Sequence, residues 1–132
     1  MVFNPEESVD FHGFTGPFIQ YTYARTKSIL RRELPVNTDK GTGLLPTEKK
    51  MIIELEKYPF VIEQAAEEMN PSVIAIYAFK LAQSFNSFLT ELKVLAAETP
   101  EKKELRLQTA LFTASVIKSA MGLLGIRVPE RM

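Results

Sequence analysis

Seven apolar residues, Ile74, Ala78, Leu81, Phe85, Phe88, Leu92 and Leu95, recur at steps of four, three, four, three, four and three. An α-helix brings such positions onto one face, because it turns once every 3.6 residues; a strand would need every second residue to be apolar. That stripe has to be buried against something. A second set, Leu107, Ala110, Ala114, Ile117, Met121 and Leu124, repeats the three- and four-residue steps and offers a partner. Strand patterning is nearly absent. The expected fold is all-α, a helical bundle with an irregular N-terminal segment, in which these two helices pack antiparallel across a short loop.

Punctuation residues divide the rest of the chain. The first fifteen residues show no sustained period and read as extended or loop structure. Pro17 suits the first turn of a helix, where its missing N–H would be unpaired anyway, and the helix should run to about Glu33 and stop before Pro35. Residues 34–46 are turn-forming and read as a surface loop. Thr47 is expected to cap a second helix to Tyr58; Pro59 then breaks or kinks it, and the segment resumes to near Met69. Asn70-Pro71 and Thr99-Pro100 are cap-then-proline starts for the two striped helices, and Gly125 is placed to end the last one in a left-handed conformation.

Composition narrows the function. With 132 residues there is room for one domain with a real core. Cysteine is absent, which rules out disulfides and thiolate metal sites and fits a reducing compartment. No apolar run approaches the roughly 20 residues of a membrane span, and the N-terminus is not built like a signal peptide. His12 is the single histidine, with no second one to share a metal or a proton relay. Gly41-Thr42-Gly43 lacks the further glycine and lysine of a phosphate loop, and Glu67-Glu68 point about 100° apart on a helix. No catalytic residue or metal ligand is expected. The formal charge is zero, but unevenly spread. Residues 48–70 carry six acids against three bases, residues 102–132 six bases against two acids, and Arg25, Lys27, Arg31 and Arg32 cluster near the start. Solvated helix faces account for such a distribution as well as a phosphate-binding rim does.

Two stretches at opposite ends are more specific. Gly13-Phe14-Thr15-Gly16-Pro17-Phe18-Ile19-Gln20-Tyr21-Thr22-Tyr23-Ala24-Arg25 and the closing Pro129-Glu130-Arg131-Met132 resemble the anticodon-binding (DALR-type) domain of arginyl-tRNA synthetases, a class I ligase family. Glu54-Leu55 with Tyr58-Pro59, and Leu81-Ala82 with Phe85-Asn86 and Phe88, continue the resemblance in order. Three positions depart from it: Phe18 where tyrosine is common, Tyr23 where histidine is frequent, and Leu89 where tyrosine is usual. Leucine gives apolar contact but no aromatic face for stacking.

The resemblance implies a division into residues 1–15, a linker from a catalytic domain, and 16–132, the helical domain itself. It implies anticodon recognition on tRNA-Arg within a cytoplasmic ligase whose catalytic domain binds ATP and arginine; the ligase signatures for that chemistry do not occur here, so no cofactor is expected in this piece. Arg131 and Met132 are the leading RNA-contact candidates, followed by Leu89 and Asn86, with Lys118, Arg106 and Arg127 as phosphate contacts. Gln20, Tyr21, Tyr23 and Arg25 are expected to face the catalytic domain, leaving an apolar patch with Phe18 that could also join copies of the piece in a lattice or a weak homodimer. The rival reading is a helical protein–protein interaction module without RNA binding.

Overall fold

The computed structural model describes residues 16–35 and 43–131. The 1–15 linker, His12 and Met132 lie outside the described residues. Among the described residues five helices follow in order: α1 (Gly16–Arg32), α2 (Pro46–Glu56), α3 (Tyr58–Glu67), α4 (Ser72–Glu91) and α5 (Pro100–Leu123). No strand occurs among the described residues, and none of their helices is long and apolar enough to cross a membrane.

The striped helix α4 is the centre. It contacts each of the other four helices. Ile74, Ala78, Leu81, Phe85 and Phe88 are all buried, and the Phe85 and Phe88 rings stack with centroids 5.3 Å apart. Each such side chain contributes roughly 1.5–3 kcal/mol when fully buried. Leu92 and Leu95 lie past the end of α4, because the backbone turns extended at Leu92. They still pack against the core from the connecting segment. From α5, Leu107, Ala110, Ala114, Ile117 and Met121 close the same core.

The helix boundaries follow local chemistry. Thr99 caps α5, its Oγ1 accepting from the Lys102 N–H at 3.1 Å. At α4 the cap position is Pro71, which has no side-chain cap bond, and Asn70 just before it accepts from the Ser72 N–H at 3.1 Å. Thr47 is not a cap. The cap position is Leu45, Pro46 takes the first helical position, and the Glu48 carboxylate accepts from the Leu45 N–H at 2.8 Å. The break near Pro59 falls two residues earlier, at Lys57, so that Pro59 sits in the first turn of α3 where it has no hydrogen bond to lose.

The end of α5 sets up the functional end of the molecule. Gly125 has φ +76°, the Gly125 N–H donates to the Gly122 carbonyl at 3.0 Å, and the Ile126 N–H donates to the Met121 carbonyl at 2.9 Å. This double bond pattern reverses the chain out of the helix. Ile126 and Val128 then pack on the core and lay the tail across α1.

Candidate nucleic-acid interface

The two ends singled out in the sequence meet in space. Gln20 Nε2 donates to the Arg127 carbonyl at 2.9 Å, and Arg31 Nη1 donates to the Glu130 carbonyl at 2.9 Å. Tyr23 Oη donates to the Glu130 carboxylate at 3.3 Å, and Lys27 approaches the same carboxylate at 3.7 Å. Burial raises the Tyr23 phenol above its usual pKa, and the Glu130 charge adds to that by disfavouring a phenolate beside it. The donor form that holds the tail is therefore kept at neutral pH.

This docking puts Arg131 at one edge of a groove of about 570 Å³. Arg25, Arg31 and Arg32 line it from α1, together with Tyr21, Ala24, Ser28 and Ile29, and Leu95 closes it from the segment after α4. None of the lining residues is acidic. Four arginines therefore line one concavity, and no carboxylate among the described residues lines it with them. Their planar forks suit phosphate oxygens. Tyr21 is 51% exposed, so its ring has a face open to a flat ligand. The groove can hold backbone phosphates and stack an unpaired base.

Arg31 and Arg32 were absent from the expected contacts. A signal for this face did exist: Tyr21, Arg25, Ser28 and Arg32 are spaced four, three and four, a polar copy of the core stripe.

Other expected contacts find different places. Arg106 is a correction. It is 0% exposed, and its donors are committed: Nε to Glu48 Oε2 at 2.9 Å, Nη2 to Glu98 Oε2 at 2.9 Å and Nη1 to the Lys93 carbonyl at 2.7 Å. Lys102 Nζ completes the cluster at 2.6 Å from Glu48 Oε1. Burial pushes the Glu48 carboxyl up, but hydrogen bonds from Lys102, the Leu45 N–H and Arg106 together hold it below its ordinary value. Glu98 is also lowered, by its own backbone N–H and by Arg106. This cluster ties the start of α2 to α5 and the segment before it, and encloses the Arg106 guanidinium away from a phosphate.

Tyr23 is a second correction. At 2% exposed it is a core residue whose hydroxyl serves the tail, so it has no face to offer a separate domain. Gln20 is half-buried against that same tail, and Arg25 and Tyr21 belong to the groove. Phe18 is half-buried and meets Phe79 edge-on at 5.8 Å, which reduces the expected apolar patch to the Tyr21 ring. Leu89 is half-buried against the core, and Asn86 bonds to Thr22 and Arg25 within the bundle. Lys118 and Arg127 are exposed but do not line the groove. Met132 follows Arg131 and is not among the described residues. No cluster of metal-ligating side chains occurs among the described residues.

A family model, the DALR anticodon binding domain, matches residues 19–132. The chain belongs to that family. Among curated relatives, the arginine–tRNA ligases of Flavobacterium psychrophilum and Phocaeicola vulgatus are 50% and 44% identical over the whole of this chain. The chain spans only 22% and 23% of their lengths. Among solved structures, the arginyl-tRNA synthetase of Thermus thermophilus superposes with a TM-score of 0.85 over 98% of the chain, at 32% identity and 23% of that protein's length. A putative arginyl-tRNA synthetase from Campylobacter jejuni, at 22% identity and a TM-score of 0.74, shares the fold over 87% of the chain. The helical architecture of the family is thus the one seen here.

Proposed function

We propose that the chain is the anticodon-reading region of an arginine–tRNA ligase, and that the anticodon loop of tRNA-Arg lies against the groove formed by α1 and the tail. The observation that carries this reading is the convergence of Arg25, Arg31, Arg32 and Arg131 on one acid-free concavity beside an exposed tyrosine. An anticodon is single-stranded, so its bases can be splayed, stacked and read on their edges, while its phosphates are held by the guanidiniums. The relatives named above support the choice of tRNA-Arg among RNAs. Arginylation itself, with ATP and arginine as its other reactants, falls to a catalytic region of the same cytoplasmic ligase. That region is the second partner in this reading.

The test is direct binding. Anticodon stem-loops of tRNA-Arg, and the same stems with a changed anticodon, are titrated with the chain at several salt concentrations. Affinity should fall as salt rises, because neutralised phosphates release counterions, and the arginine anticodon should bind more tightly than the changed one. Equal affinity for every anticodon would leave only general RNA attraction. Absence of binding to all of them would remove the RNA role and leave a helical protein-interaction module.

A further inference from the structure

Asn86 on α4 reaches across to α1 with both ends of its amide. Its Nδ2 donates to Thr22 Oγ1 at 2.9 Å, and its Oδ1 accepts from Arg25 Nη1 at 3.0 Å. Thr22 Oγ1 donates to the Phe18 carbonyl at 3.0 Å. The hydroxyl has one proton, and it is spent on Phe18; what remains toward Asn86 is an acceptor. The amide is therefore fixed in orientation. Turned over, it would set Oδ1 against an oxygen without a free proton and its NH₂ against a guanidinium. Thr22 is wholly buried, so this relay begins inside the core and ends on a side chain lining the groove.

We infer that Asn86 is a positioning residue: it does not touch the bound anion but holds the Arg25 guanidinium in place at the groove, with Thr22 fixing the amide that does so. The functional consequence rests on the reading of the groove as an RNA site; the positioning itself does not. A guanidinium held before the ligand arrives loses less freedom when it binds, so the relay raises affinity without adding a contact. The same arrangement explains why a polar residue faces α1 from a helix whose buried face is otherwise apolar.

Two measurements test this separately. In the free chain, arginine side-chain NMR should show Arg25 with slowed rotation of its guanidinium, and both Asn86→Ala and Thr22→Val should return it to fast averaging. Averaged Arg25 signals in the unsubstituted chain would overturn the inference. With the tRNA-Arg anticodon stem-loop as probe, Asn86→Ala and Thr22→Val should each weaken binding by several-fold up to about tenfold, the scale of one misplaced charged hydrogen bond. In an Arg25→Ala background the same changes should alter affinity by no more than about twofold, because they act through Arg25. An Asn86→Ala loss as large in that background as in the unsubstituted chain would mean direct contact with RNA and sink the proposal. Thr22→Val is nearly isosteric, cannot reach a ligand, and keeps the test available if Asn86→Ala melts too low. If the NMR behaves as expected while no form of the chain binds any stem-loop, the RNA reading fails and the positioning of Arg25 stands.

Discussion

Arg106 and Arg131 come from the same base-rich C-terminal quarter of the chain, yet their surroundings are opposite. Arg106 is enclosed among Glu48, Glu98 and the Lys93 carbonyl, and ties α5 to the rest of the bundle. Arg131 stands at the rim of a groove with three other arginines and no carboxylate. The first guanidinium has its charge balanced by protein and serves stability. The second, with its neighbours, has its charge left for a ligand. What separates the two is the supply of acids within reach, not the local density of basic residues along the chain.

Substitutions can break this contrast at either end. The largest effect should come from Arg106→Ala, which strands the buried Glu48 carboxylate: urea denaturation should show a loss of about 3–5 kcal/mol. If the loss is under 1 kcal/mol, the cluster is not a structural tie. Its pH dependence sharpens the point. Glu48 has a folded-state pKa below its unfolded value, so its contribution is present above the ordinary carboxylate range and is lost as pH falls through the folded value. The stability gap between the chain and Glu48→Gln should be constant near neutrality and shrink below about pH 4.

Arg131→Ala should do the reverse. Stability should change little, while affinity for the anticodon stem-loop drops by an amount worth about 1.5–3 kcal/mol. The salt slope should fall by about 0.7 if one single-strand phosphate contact is lost. Unchanged binding would take Arg131 out of the groove's function.

Gly125→Ala probes the link between the regions. Nothing lies within 4 Å of the added methyl, so its effect is purely conformational: a left-handed residue with a Cβ costs about 1–2 kcal/mol. Weaker RNA binding in the same variant would show that the helix-to-tail turn delivers Arg131. The smallest effect is expected at Lys118, exposed and away from the groove; Lys118→Ala should shift stability by under about 0.5 kcal/mol and affect RNA binding less than Arg131→Ala does.

Most of the fold was legible in the chain. The stripe on α4 as far as Phe88, the cap at Thr99 and the reversal at Gly125 are local signals, and each was realised. The misplacements were local too. At the start of α2, Pro46 and Glu48 together outcompeted Thr47, and Thr47 instead donates to Glu91 at 3.0 Å. The site was legible only in part. Arg131 stood out through family resemblance, whereas Arg31 and Arg32 stood out only as members of a basic cluster that suits solvent as well as phosphate. Arg106 was expected to meet phosphate and is instead paired inside the bundle, because its two carboxylate partners are 58 and 8 residues away in sequence.

By itself, the order of residues determined the helices, their ends and the faces they bury, because backbone hydrogen bonding, capping and the 3.6-residue period act over a few neighbouring positions. Only the tertiary structure decided which cations are spent and which are free to act. Coulomb attraction and desolvation depend on distance through space, and it is packing that brings Glu48 against Arg106 while laying the tail beside α1.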